Sequence, residues 1–141
     1  MKLIFIDSSV LFAASRSRTG ASAIILGLCH KSQIQGVISP QVVGEVKRNV
    51  AQKLNQKGKQ RLNVYLLQAK LKLTTPTEEE VIECKKYINE KDAPILAGAI
   101  KSKAHYFVTL DIDFMAKTIT NVVKPMAIVT PKRFLKKEYK V

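Results

Sequence analysis

Short apolar runs alternate along this chain with longer stretches of helical periodicity. That alternation constrains the fold more than any other feature, because strands that take turns with helices build α/β folds around a largely parallel sheet. Lys2 to Ile6 is the first apolar run; Asp7 closes it, and it reads as a buried strand. Thr19-Gly20 precedes a helical stretch over about Ala21 to His30, and Gly36 to Ile38 reads as a second strand. Ser39 is an N-cap with Pro40 in the first turn of the helix it starts. Val43, Val46, Val50 and Leu54 give that helix its apolar stripe. Gly58 separates it from a second basic helix over about Lys59 to Lys72, with Leu62, Tyr65, Leu66 and Ala69 facing inward.

Thr77 to Glu80 forms a capping box whose acids suit the positive end of the helix dipole, and Val81, Cys84, Tyr87 and Ile88 carry this helix inward. Asp92-Ala93-Pro94 opens a small-residue helix that runs to about Lys103. Tyr106 to Leu110 is a strand ending in Asp111, and Asp113 to about Ile119 is helical. Met126 to Val129 is a last strand, ended by Thr130-Pro131.

A chain of 141 residues suits one domain, and no repeat or Gly/Ser/Pro linker divides residues 1–141. No apolar run has the length of a membrane span. The opening has the outline of a signal peptide, but Asp7 interrupts its apolar stretch, so the expectation is a cytoplasmic protein with no membrane partner. Cys29 and Cys84 stand far apart with no CxxC, which points to buried thiols rather than a disulfide or a metal site.

Twenty-four basic residues face eleven acidic ones, a formal net charge of +13, and such an excess suits a polyanion such as nucleic acid. Eight basic residues and no acid lie between Lys47 and Lys72. The tail is also basic, with Lys132, Arg133, Lys136, Lys137 and Lys140 against Glu138. The capping-box helix and Glu90 absorb most of the acids, which leaves Asp7, Glu45, Asp92, Asp111 and Asp113.

Asp7 and Asp111 each follow a strand, so both lie at the carboxyl edge of the sheet if the strands are parallel; ligands bind there in open α/β sheets. Asp92 sits at the start of its helix, on the side facing the sheet, and Glu45 flanks the Val43/Val46 stripe. Each acid also has a simpler explanation. Asp7 can cap a turn through Ser8 and Ser9, Asp92 can be an N-cap, Asp111 and Asp113 can cap a loop, and Glu45 can pair with Lys47 or Arg48. Together they are harder to dismiss on so basic a chain. Converging carboxylates repel unless a cation joins them, and oxygen ligands favour Mg²⁺ or Mn²⁺. Such an ion serves phosphodiester hydrolysis, with Lys47, Arg48, Lys53 and the basic helix that follows as candidates to hold the substrate backbone.

These residues resemble the PIN-domain family, specifically VapC-like toxins and related standalone PIN-domain ribonucleases. IFIDSSVLF is similar to the family's first strand and first acid, Asp7, with Ser9 at a position that helps orient the site. SPQVVGEVKR resembles the helix carrying the second acid, Glu45, and KDAPILAGAIKSKAHYFVTLDIDF resembles the third-acid helix, strand and T-x-D-x-D-F ending. The resemblance implies a three-layer α/β/α fold with a central, mostly parallel sheet and Mg²⁺- or Mn²⁺-dependent cleavage of RNA. It implies Asp7, Glu45, Asp92 and Asp111 as catalytic, metal-holding acids and Asp113 as an auxiliary ligand. Ser9 and Thr109 would support the acids by hydrogen bonds. It further implies a homodimer and a separately encoded antitoxin.

The single acid after the first strand, with no DxD, weighs against haloacid-dehalogenase-like phosphatases; the same lack of paired acids disfavours a phospho-receiver domain. His30 and His105 have no Cys or His at ligand spacing and read as structural histidines. Ala97-Gly98-Ala99 reads as close helix packing rather than a phosphate loop, and Tyr65, Tyr87 and Tyr106 sit at core-compatible positions. The competing functions are a non-catalytic RNA-binding module on the same fold, and a PIN nuclease that processes RNA or cuts DNA.

Overall fold

The computed structural model describes residues 1–140. Five strands, β1 (Lys2–Ile6), β2 (Ile34–Ile38), β3 (Lys72–Leu73), β4 (Tyr106–Val108) and β5 (Ala127–Val129), form one sheet in the order β3-β2-β1-β4-β5. Every pairing is parallel. The first strand is therefore central. The chain moves outward from it through β2 to β3, then returns to β4 on its other side. That reversal makes the gap between the carboxyl ends of β1 and β4 the topological switch point, where α/β sheets bind ligands.

Eight α-helices connect and cover the strands: α1 (Ser8–Arg16), α2 (Ala21–His30), α3 (Pro40–Lys53), α4 (Gln56–Gln68), α5 (Glu78–Cys84), α6 (Ala93–Ser102), α7 (Lys117–Val122) and α8 (Pro131–Tyr139). A 3-10 turn spans Ile112–Met115. Side-chain alternation along β1 and β4 sorts them into layers. Phe5 and Phe107 meet edge-to-face on one side of the sheet, and Phe107 packs on Phe114 of the 3-10 turn. Tyr106 points to the other side and meets Phe134 of α8. Phe5, Phe107, Phe114 and Phe134 are fully buried, each worth about 1.5–3 kcal/mol in water-excluded apolar surface. The result is the parallel sheet that the alternating signals implied, within the three-layer α/β/α fold that the family resemblance implied.

Gly98 shows how closely α6 approaches the sheet. A Cβ there would stand 3.2 Å from Ser39 Cβ and 3.3 Å from Phe5 Cζ. The Ala97-Gly98-Ala99 segment is thus a packing contact, as its composition suggested, and it sets the position of Asp92 at the head of the same helix.

Several boundaries differ from the sequence reading. Residues 8–16 form α1, which the apolar opening hid by running straight on from β1. Gly58 does not divide two helices. The break falls at Leu54 and Asn55, where the Asn55 side chain accepts the Gly58 N–H and caps α4. The capping box at Thr77 and Glu80 is present, but α5 stops at Cys84 rather than running on to Ile88. Lys72–Leu73 is a short strand rather than a helix end, paired with Val37 and Ile38. The basic tail is helix α8, capped by Thr130, with Phe134 and Leu135 buried beneath its lysines.

Candidate active site

Parallel pairing of Ile6 with Val108 sets the residues that follow them side by side. The Asp7 N–H donates to the Val108 carbonyl at 3.0 Å, which fixes the chain as it leaves β1. Asp7 is 2% exposed. Its side chain caps no helix; Oδ2 instead accepts the hydroxyls of Ser9 and Thr109, each at 2.7 Å. Burial holds this carboxyl above its ordinary range and the nearby Glu45 adds to that, while the Ser9 and Thr109 hydrogen bonds oppose it.

The two hydroxyls also tie in the second loop. Ser9 Oγ accepts the Leu110 N–H at 3.0 Å, and Thr109 Oγ1 accepts the Asp111 N–H at 2.9 Å. Ser9 and Thr109 thus hold the loops after β1 and β4 together. Glu45, on α3, accepts the Ser8 hydroxyl at 2.8 Å. The ion pairs among the described residues join Lys85 to Glu90, Lys86 to Glu83 and Lys101 to Glu80, so pairing with Lys47 or Arg48 does not account for Glu45.

Asp92 is 7% exposed and stands at the N-cap position of α6, yet its side chain makes no capping bond. It accepts the Asn89 amide at 2.9 Å instead, while Asn89 Oδ1 takes the Asp92 N–H. The simple explanation for Asp92 therefore fails. For Asp111 it holds in part, since one oxygen caps the 3-10 turn by accepting the Asp113 N–H at 2.9 Å.

Two groupings of acids share Asp111. Asp7, Glu45 and Asp111 line one cleft of about 230 Å³. Asp92, Asp111 and Asp113 each offer a carboxylate oxygen, and these oxygens lie within 4.8 Å of one another. Oxygens around one Mg²⁺ stand about 3 Å apart as neighbours and about 4.2 Å apart on opposite sides, so the three side chains are near enough to close on one shared ion. All-oxygen donors fit a hard divalent cation, and partly buried carboxylates without cationic partners gain most from one. Wider grooves exist elsewhere, but they are lined by cations and carry no acid cluster.

Of the basic candidates, Lys53 lines the acid cleft, whereas Lys47 and Arg48 are exposed and do not. The sequence reading missed Arg16 and Asn49, which also line it. The spacing of Glu45, Asn49 and Lys53, four residues apart on one helix, was the available signal. Arg16 and Lys53 flank the Phe12 ring at 5.8 and 6.0 Å from its centroid, which places two cations at the rim. The histidines are structural: His105 Nδ1 accepts the Leu3 N–H, and His30 Nδ1 bonds the Gln68 carbonyl.

Comparison with known proteins bears on the fold and on the family. Among curated proteins none matches the chain by sequence. Among solved structures, the chain resembles VapBC2 of Rickettsia felis bound to a DNA fragment from its promoter, with a TM-score of 0.64 at 16% identity over 89% of this chain and 96% of that one. It also resembles VapC20 of Mycobacterium tuberculosis, a sarcin-ricin loop cleaving toxin, with a TM-score of 0.61 at 16% identity over 79% and 92% of the two chains. At such identity these likenesses bear on the fold. The profile of the PIN domain matches residues 3–113, a span that holds all five acids, and the chain belongs to the PIN domain family.

Proposed function

We propose that this chain, working as one domain over residues 1–141, is a metal-dependent endoribonuclease. The observation that carries the reading is the convergence of Asp92, Asp111 and Asp113 on one small volume, joined through Asp111 to Asp7 and Glu45 in one cleft. Asp7, Glu45, Asp92 and Asp111 would hold Mg²⁺ or Mn²⁺, with Asp113 as an auxiliary ligand. The ion supplies charge neutralisation at the phosphoryl group and acidifies water. The chain's own residues do the positioning. Ser9 and Thr109 hold Asp7 in one orientation and Asn89 holds Asp92. Arg16 and Lys53 stand where a substrate phosphate would enter, and attract it without competing for the acids. A non-catalytic RNA-binding role is disfavoured, because buried carboxylates only weaken RNA binding unless a cation neutralises them.

Purified protein is expected to cleave RNA only with Mg²⁺ or Mn²⁺, and Asp92→Asn to abolish cleavage while leaving the fold intact. Cleavage at the wild-type rate by Asp92→Asn sinks the assignment. Parallel assays on RNA and single-stranded DNA settle the substrate. The family and the VapBC and VapC likenesses support a toxin role in the cytoplasm, as a homodimer silenced by a separately encoded antitoxin. A small neighbouring gene for a DNA-binding protein that suppresses the activity is the expected finding; an isolated reading frame counts against the toxin role.

A further inference from the structure

The cations beyond the acid cleft are gathered rather than scattered. Arg18, Lys57 and Arg61 line a second cleft of about 690 Å³ between the α1–α2 connection and α4, with Gln60, Val64 and Tyr65 completing its wall. The two clefts share no lining residue but flank the last turn of α1. Arg16 lines the first. Arg61 reaches back to the same turn from the second, where its Nε donates to the Ser15 carbonyl at 2.6 Å and a terminal nitrogen to the Arg16 carbonyl at 3.3 Å. The Tyr65 hydroxyl donates to the Ala14 carbonyl at 3.2 Å, so this wall is braced.

None of Arg18, Lys57 and Arg61 forms an ion pair among the described residues. Unpaired cations in a concave wall concentrate anions. Lys57 and Arg61 lie one turn apart on α4, and Val64, 47% exposed, continues the same face as an apolar surface. Fixed positive charge beside apolar and aromatic surface is how proteins hold unpaired nucleic acid, the charge taking the backbone and the surface taking bases.

We propose that this second cleft is a distal substrate subsite for single-stranded RNA. A strand whose scissile phosphate lies over the acids passes Arg16 at the end of α1 and lays its next phosphates against Arg18, Lys57 and Arg61. The proposal rests on the nuclease reading above, and adds that the substrate must present several consecutive unpaired nucleotides. The other basic groove, lined by Lys132, Arg133, Lys136 and Lys137 of α8, makes no hydrogen bond to α1 among the described residues and provides the comparison.

The test measures affinity for oligouridylates of about four and about twelve nucleotides, with EDTA present so that no cleavage intervenes. Wild type is expected to gain affinity with length. Arg18→Ala with Lys57→Ala should lower the long-to-short affinity ratio on the order of tenfold, and flatten the salt dependence for the long oligomer by roughly one to one and a half logarithmic units. Both residues are exposed, so folding is spared; Arg18→Lys with Lys57→Arg, which keeps the charges, should restore the ratio. Lys136→Ala with Lys137→Ala, an equal loss of charge, should leave it unchanged. The proposal is overturned if wild type gains nothing with length, if the Arg18/Lys57 variant keeps the wild-type ratio, or if both double variants lose it equally. It is also overturned if that variant loses affinity for a glutamate-rich peptide while keeping it for RNA. The nuclease reading fails separately, by absence of metal-dependent cleavage of the long oligomer in wild type.

Discussion

The Thr109 hydroxyl donates to Asp7 Oδ2 at 2.7 Å and accepts the Asp111 N–H at 2.9 Å, so one fully buried oxygen ties together acids 104 positions apart in the chain. Thr109→Val keeps the shape and removes both bonds. It should destabilise the fold by about 1–3 kcal/mol, since the Asp111 N–H loses its acceptor. Cleavage or metal affinity should fall about ten- to a hundredfold. Thr109→Ser should recover most of both. Urea melts and cleavage rates on the three proteins check this; full activity in Thr109→Val shows that the tie is dispensable.

Asp7 stabilises little in the metal-free state. Its folded pKa is raised by burial above the unfolded value, so any stability it contributes is present below the ordinary carboxylate pKa and is lost as pH rises through the raised one. The charged form of Asp7 is therefore the one that burial disfavours. Asp7→Asn should melt no lower than wild type without metal, yet cleave on the order of a thousandfold more slowly. Mn²⁺ should raise the melting temperature of wild type and not of Asp7→Asn. Equal stabilisation of both by Mn²⁺ would falsify a ligand role for Asp7.

The same raised pKa sets a proton against the metal. Affinity for Mn²⁺ should weaken on acidification through the raised Asp7 pKa, earlier than an ordinary carboxylate would cause. Calorimetric titrations at descending pH measure this, and they should show proton release on binding at the acid end. A pH-independent affinity down to the usual carboxylate range contradicts it.

Gly98→Val should be among the more damaging single changes away from the acids. Even a Cβ would press on Ser39 and Phe5 at 3.2 and 3.3 Å, and a branched side chain must push α6 outward. A loss of about 1–3 kcal/mol is expected, with reduced cleavage because Asp92 moves with the helix. Gly98→Ala should be far milder, as its gain in helix propensity offsets part of the crowding. Chemical denaturation distinguishes the pair.

Both cysteines should resist modification until the chain unfolds. Cys29 and Cys84 are buried, and burial pushes their thiols up to about 12 and about 11, so almost no thiolate exists at neutral pH. A thiol-reactive chromophore should report two groups only in denaturant; rapid native-state labelling of Cys29 contradicts the packing.

Much of the site was legible because acids are scarce on so basic a chain. Once the capping-box helix had absorbed its cluster, Asp7, Glu45, Asp92, Asp111 and Asp113 remained, and strand ends placed two of them on one edge. What stayed hidden depended on tertiary context. Helix α1 follows β1 after Asp7 alone, with no Pro and no side-chain cap to mark its start, so residues 8–16 carry no clear helix signal. Strand β3 has two residues, too few for any period to register. Helix α8 has the composition of a charged tail, because Pro131, Phe134 and Leu135 carry its inner face among its cations. Gly58 has the look of a helix breaker, yet its N–H is the target of the Asn55 cap. Arg16 entered the cleft only through α1, so no reading that lacked that helix could place it there.

The central position of β1 has a consequence for biosynthesis. Asp7 leaves the ribosome roughly a hundred residues before Thr109, Asp111 and the strand that pairs with its own. A chain cut short before β4 possesses no edge to complete the cleft, and non-local strand pairing of this kind forms late. Fragments that stop before β4 should therefore neither hold the metal nor cleave, and the cleft should assemble only once that strand is available to pair with β1.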